Sequence, residues 1–447
     1  MQKLKAQQTN SQLDRDLREI VDVLENAAQH EGKYLFIRDG KIAFDDLQVQ
    51  NGSDETSYLW DAMAKRTVVE AVDYDQSVSK IGDYAFAGCS SLTTALFPAA
   101  SSIGDYAFSG CTSLSRVYFP NVSSVGVGAF ISCKIKEADF KELTEINDRA
   151  FNNCQSLSTL NMPKVISIGS SAFAGCGLLS ASFPLATEIG NQAFLGCATL
   201  ADIYFPIVTS IGGRGAADGQ TFAGCASLGT ANFPMLEYIP ASAFRTCYAL
   251  SYTSFPEVLG IGTDAFYRCY SLVSADFPKA EIVSAGAFWY CSGLKYVNIP
   301  KISYVAAYAF ASCAALSHIY FPSATIINYN AFEGCSALNS AHLNNVSVIY
   351  QSAFTRCTAL SVASFPAAQT IYTGAFSGCT NLISLYLTGN YVCNLAASNA
   401  FASTPIGGYS DVAGQFGSIY VPASLISNYK AARNWSYFSS RFVAYEG

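Results

Sequence analysis

The chain has 447 residues, 51 % of them apolar, which excludes an intrinsically disordered protein. Charged side chains make up only 13 %, about half the usual share, and the net charge of −7 comes without a basic stripe, so nucleic acid is not an expected partner. No stretch approaches the roughly 18 apolar residues of a membrane span, and "MQKLKAQQTNSQLDRDLREI" lacks the apolar run of a secretory signal, so membrane insertion is not expected either.

Residues 1–30 read as an N-terminal helix. Leu13, Leu17, Ile20, Leu24 and Ala27 follow a 4-3-4-3 spacing with Asn10 at the preceding core position. That is a short coiled-coil seam, and it implies a homo-oligomer, dimer or trimer, through residues 10–28. An amphipathic helix packed on the protein's own cap fits the same pattern. Residues 31–80 form a cap module in which "KYLFIRDGKIAF" predicts a hairpin around Asp39-Gly40. The stretch 45–58 is polar and loop-like, and 59–80 leads into the first repeat.

From residue 81 to about 390 the chain repeats itself. An Ala-Phe pair (Thr-Phe once) recurs with its phenylalanine at 86, 108, 130, 151, 173, 194, 222, 244, 266, 288, 310, 332, 354 and 376. The step is 22 residues for most units, 21 for two, and 28 once, where "GRGAAD" (213–218) is inserted. A fixed period of this length with apolar anchors predicts a solenoid, in which each unit buries its apolar side by stacking on its neighbours. In "LSRVYFP" (114–120), Leu114, Val117 and Phe119 point inward from a short strand that Pro120 ends, because proline has no N–H for a ladder. The "IGDYAFSGC" half (103–111) reads as a turn followed by a single helical or 3₁₀ turn, with Gly104 and Gly110 at tight positions. Parallel strands rising roughly 4.8 Å each give one continuous sheet on a body on the order of 70 Å long.

The recurrence of I-G, A-F, G-C, L and F-P together, as in "IGDYAFSGCTSLSRVYFP", resembles the BspA-type (Treponema-type) branch of the leucine-rich repeats. The resemblance implies an α/β repeat fold: a curved leucine-rich-repeat solenoid with a parallel concave sheet, here between an N-terminal helical and hairpin module and a C-terminal cap. It also implies adhesion or protein binding, since members are mostly surface-exposed bacterial, protist or phage-associated proteins. Members usually carry an export signal; none is visible here.

Residues 391–447 read as a degenerate repeat, with Phe401 and with Thr404 in the cysteine position, followed by a cap. The cap is expected to run strand, helix from about Ala423 to Ala432, strand, with Trp435 and Tyr437 buried over the last repeat.

Fourteen of the fifteen cysteines fall three places after the repeat phenylalanine, and Cys393 stands apart. An odd count spoils a fully paired disulfide framework, and stacked equivalents project in parallel, which is poor disulfide geometry. No close C-x₂-C spacing offers a zinc site. The reading is a buried structural thiol ladder, cysteine behaving as a small hydrophobe. His30, His318 and His342 are the only histidines, without metal-ligand spacing, and no phosphate-binding loop or nucleophile elbow is present. A non-enzymatic chain without cofactor or metal is the expectation.

That leaves the outward strand positions, two and four residues after each unit's leucine. They begin with Thr94 and Leu96, run through Arg116, Tyr118, Tyr204, Tyr252, Tyr296, Asn298, His318, Tyr320 and His342, and end at Tyr386. The residue between each pair is small or aliphatic, Thr253 excepted. A variable face rich in Tyr, Ser, Asn and Thr suits recognition of a protein or glycan receptor, because tyrosine offers a large amphipathic contact at low entropy cost. A second stripe lies beside the cysteines: Arg245, Tyr267, Arg268, Trp289, Tyr290 and Arg356, explained equally by packing or by an oligomer contact. The functional expectation is a recognition or adhesion protein facing the extracellular side on a bacterial surface. The alternatives are a phage or prophage tail receptor-binding protein oligomerised by its N-terminal helix, and a structural scaffold without a specific ligand.

Overall fold

The computed structural model describes residues 70–73, 78–212, 219–408 and 415–446, together with the backbone of three strands between 34 and 49. The expected N-terminal helix, the Asp39-Gly40 turn and the "GRGAAD" insertion lie outside the described residues. Tyr34–Arg38 pairs antiparallel with Lys41–Phe44, Arg38 opposite Lys41. A third strand, Leu47–Val49, extends the meander in a stretch whose polar flanks make it read as loop. Tyr34–Arg38 also runs parallel to Glu70–Asp73, which pairs with Thr94–Leu96. The hairpin therefore continues the sheet of the repeats.

Every unit but one then gives a three-residue strand such as Arg116–Tyr118, parallel to the strands it pairs with. The sheet is not continuous. It runs unbroken to Arg116–Tyr118, breaks into four two-stranded ladders from Glu137–Asp139 to Tyr296–Asn298, and resumes as five strands from Ser340–His342. Residues 318–320 form no strand at all. Strands this short, most of them followed by a phenylalanine-proline pair, carry few ladder bonds per junction, so modest twist interrupts them. A second parallel ladder, unforeseen in the sequence, runs through the residue pairs that end in the unit isoleucine or valine, for example Ser102–Ile103 between Lys80–Ile81 and Ser124–Val125.

The arc between these ladders is a run of turns instead of the expected helical turn. In residues 104–111, Ala107, Ser109 and Cys111 donate their N–H to the carbonyl three residues back, while Tyr106, Phe108 and Gly110 donate to Val127, Ala129 and Ile131 of the next unit. Alternate N–H groups leave the unit, so no helix can propagate. The geometry requires a left-handed residue on either side of the phenylalanine, Tyr106 at φ 54° and Gly110 at φ 75°. Gly104 answers a different need: a Cβ there would lie 2.6 Å from the Asp83 backbone nitrogen.

The core is a set of columns along the solenoid axis. The repeat phenylalanines stack almost parallel, as in Phe86–Phe108 at 5.0 Å and Phe222–Phe244 at 5.5 Å. The phenylalanines of the F-P pair form a second column, for example Phe233–Phe255 at 5.8 Å, tilted against the first. At the far end, the expected helix is a 3₁₀ turn, Ala423–Leu425, leading into Ile426–Ala431. Trp435 is fully buried against Phe401 and donates its indole N–H to the Cys393 carbonyl at 2.6 Å. Tyr437 corrects the expectation, being 76 % exposed. It sits in the segment Trp435–Arg441, two short 3₁₀ turns that meet at a kink at Phe438, and the first turn puts Trp435 and Phe438 on the buried face and Tyr437 off it.

Candidate functional site

The cysteines prove to be architectural. All fifteen are buried thiols outside any disulfide. Each rung from Cys111 to Cys379 donates its S–H to the carbonyl of the preceding unit's phenylalanine, as Cys111 to Phe86 at 3.0 Å and Cys269 to Phe244 at 3.2 Å. The same carbonyl accepts the N–H of its own unit's cysteine, Cys247 to Phe244 at 3.2 Å. Burial pushes thiols of the ladder up, to about 12 at Cys154, Cys197 and Cys335, so these three are not nucleophilic thiolates at neutral pH. Among the described residues there is no cluster that could hold a metal ion.

The concave face is built by strand alternation. In Tyr296–Asn298, Val297 points into the core while Tyr296 and Asn298 are exposed. Tyr204, Tyr252, Tyr296 and Tyr320 are each more than half exposed, at 56, 57, 63 and 69 %. Arg116, His318 and His342 are exposed, and Tyr118 and Tyr386 are half-buried. Thr94 and Leu96 are buried, so the open face begins one unit later than the spacing suggests. Arg116 marks that boundary, where its charge opposes the upward push that burial gives the Glu70 carboxyl.

The side chains of this face are partly preorganised. Asn298 donates to Asp276 at 2.7 Å, and Asn161 repeats the arrangement with Asp139 at 2.7 Å. Ser317 Oγ lies 2.9 Å from His318 Nδ1. Tyr296 and Tyr320 occupy different rows, the first two residues after its leucine and the second four, so they offer two rings to a ligand instead of one stacked pair. At the C-terminal end Tyr386 stacks on Tyr420 at 4.5 Å and meets Tyr445 edge-on at 6.1 Å. Tyr420 and Tyr445 belong to the cap strands Ser418–Pro422 and Phe442–Tyr445, which continue the concave sheet. Sequence reading missed both because it stopped the repeat register at Tyr386, although "SIYVP" carries the same alternation as "LSRVYFP".

The turn-side stripe is brought together for five of its six residues. Arg245, Tyr267 and Trp289 each follow a repeat phenylalanine and form one column. The Arg245 guanidinium lies 4.6 Å from the Tyr267 ring centre, and Trp289 meets Tyr267 at 5.4 Å. Arg268 covers Tyr267 and Tyr290, while Arg356 stands apart beside Glu333. Further along the same side, Asp105 and Asp148 accept the backbone N–H of Val127 and Ser170 in the next unit, at 2.7 and 2.6 Å. Asn191 stands at the equivalent position with its Oδ1 buried and unpartnered among the described residues. The insertion comes next, and the Gly219 N–H that register would bring there goes to Ala241 instead, at 3.0 Å.

Stacked parallel units of this length, with columns of leucine and phenylalanine inside and an alternating strand face outside, define a leucine-rich-repeat solenoid, a class of recognition scaffolds as a rule. The chain belongs to the family described as BspA type leucine-rich repeat region, which matches it in six copies over residues 79–201, 216–339 and 303–410. Members of that family are typically surface-associated. Among solved structures, the chain is similar to a leucine-rich repeat protein from Bacteroides ovatus, at 25 % identity and TM-score 0.60, over 79 % of this chain and 86 % of that one. It also matches a leucine-rich cell surface protein from Faecalibacterium prausnitzii at 22 % identity and TM-score 0.41, over 75 % of this chain and 88 % of that one. No curated protein matches the chain in sequence.

Proposed function

We propose that the protein is a non-enzymatic adhesin that works on the outside of a bacterial cell and binds a protein or glycan receptor through its concave face. The observation that carries this reading is the alternation itself. Buried residues between the outward rows keep the scaffold, while the outward rows vary freely and hold the four most open concave tyrosines, Tyr204, Tyr252, Tyr296 and Tyr320. Large exposed tyrosines set among small polar residues have the make-up of a recognition surface, because tyrosine gives wide amphipathic contact at low entropy cost. The test uses beads coated with the full chain and offered to epithelial monolayers. Replacing Tyr296, His318 and Tyr320 with alanine together should cut adhesion by about tenfold or more, the usual effect of removing interface anchors. Unchanged adhesion rejects the patch.

The heptad spacing of Leu13, Leu17, Ile20, Leu24 and Ala27 favours a second reading, a phage-tail receptor-binding protein that oligomerises through residues 10–28. Mass in solution separates the two. An oligomer that falls to monomer without residues 1–30 supports the tail protein, and a monomer both ways counts against it.

A further inference from the structure

The turn-side cluster departs from the rest of the arc in both its side chains and its backbone. At half of the fourteen units the residue after the repeat phenylalanine is Ala, Ser or Thr, Ser109, Ala174, Ala223 and Ala311 among them. In three consecutive units it becomes Arg245, Tyr267 and Trp289. The next position in each unit must be left-handed, and Gly, Asn or Ser fills it in most of the others. Here Arg268 and Tyr290 hold φ 62°. A bulky residue in that region costs on the order of 1 kcal/mol, a cost the fold also bears at Arg356 (φ 60°) outside the cluster.

The two arginines are in different states. Arg245 is neutralised by Asp264 at 3.2 Å. Arg268 lies over the rings of Tyr267 and Tyr290, at 5.1 and 5.7 Å, and among the described residues no carboxylate is within ion-pair distance of it. Trp289 packs against Tyr290 at 5.4 Å and Tyr308 at 4.9 Å, and Tyr290 and Tyr308 remain over a third exposed. The result is one guanidinium without an ion-pair partner among the described residues, lying over two tyrosine rings and next to the Trp289 and Tyr308 rings, on a chain whose net charge is −7.

We infer that this cluster binds a carboxylated saccharide, a sialic or uronic acid unit, with the carboxylate on Arg268 and the apolar face of the sugar ring against Tyr290 and Trp289. Arginine held against aromatic rings is preorganised for a bidentate, charge-assisted grip on a carboxylate. The aromatic shelf adds a contact that a simple anion cannot use. An acidic peptide fits less well, because the backbone here has nothing to offer it. The N–H groups of Tyr267, Arg268, Trp289 and Tyr290 already donate to Asp264, Trp289, Gly286 and Ala311. This site lies on a different side of the repeat from the concave face and stands or falls apart from it.

The experiment titrates the full chain with sialyllactose and with oligogalacturonate. Lactose and the methyl-esterified oligomer serve as neutral controls, and oligoglutamate as the peptide control. At least one acidic saccharide should bind, with its neutral counterpart and oligoglutamate weaker by about tenfold or more, as expected on losing a charge-assisted hydrogen bond. Arg268→Ala should lose binding to a similar extent, Arg268→Lys should lose most of it, and Tyr290→Gly should weaken it while raising the melting temperature by relieving the left-handed strain. The concave triple variant should bind the saccharide as the parent does. The inference is overturned if neither acidic saccharide binds, if Arg268→Ala keeps its affinity, or if oligoglutamate binds as well as the saccharides. A melting curve for each variant shows that a loss of binding is not a loss of fold.

Discussion

The turn arc and the concave strand come from the same 22-residue unit, yet they use their backbones in opposite ways. In the arc, N–H groups alternate between their own unit and the next, so each residue is fixed from two directions and its conformation is prescribed, left-handed at two places per unit. In the strand only three residues pair, and every second side chain is released to solvent. Backbone bonding that is dense along the axis holds the scaffold. Backbone bonding that is sparse leaves side chains free to vary, and it is there that we propose recognition resides.

Alkaline pH should break the arc first and most severely. The buried thiols ionise well above their ordinary value of 9.0, with Cys154, Cys197 and Cys335 near 12. Below pH 9 both the folded and the unfolded chain keep these protons, and stability does not depend on them. Between about 9 and 12 the unfolded chain loses protons that the folded chain retains, so stability must fall with rising pH. Denaturant midpoints measured from pH 7 to 11 should drop steeply above 9, and a Cys154→Ala, Cys197→Ala, Cys335→Ala variant should show a shallower drop.

A single arc phenylalanine comes next. Phe266 is fully buried and stacks on Phe244 and Phe288 at 5.4 and 5.2 Å. Phe266→Ala should cost about 3–5 kcal/mol in urea unfolding. Cys269→Ala should cost much less, about 1 kcal/mol, because the Phe244 carbonyl keeps the Cys247 N–H when it loses the thiol. A loss as large as that of Phe266→Ala would mean that the thiol ladder, not the phenylalanine column, holds the units together. At the other extreme, Tyr296→Ala on the open strand should change stability by no more than about 0.5 kcal/mol.

Much of this contrast is legible in the sequence, because a period of 22 exposes which positions cannot change. The phenylalanine column, the buried cysteines and the strand alternation all follow from recurrence. The helical turn expected in "IGDYAFSGC" is absent, since recurrence shows that a glycine is needed at 110 without showing that its N–H leaves for Ile131 of the next unit. The breaks in the sheet stay hidden for a similar reason: residues 318–320 keep the strand spacing, and pairing depends on twist, which no single unit encodes. Of the candidate residues, the sequence placed the concave rows but could not see that Leu96 is covered or that Tyr420 and Tyr445 prolong the face beyond the repeats.

The central claim is that adjacent residues of one strand divide between scaffold and recognition, and the strand Tyr296–Asn298 tests it most directly. Tyr296→Asp, Val297→Asp and Asn298→Asp, each in the full chain, are compared for trypsin resistance and for bead adhesion to epithelial monolayers. Val297→Asp should lose resistance because it buries a charge, whereas Tyr296→Asp and Asn298→Asp should stay resistant and lose adhesion. If Tyr296→Asp unfolds the protein, or keeps adhesion while the chain stays folded, the division of the unit into scaffold and recognition surface is wrong.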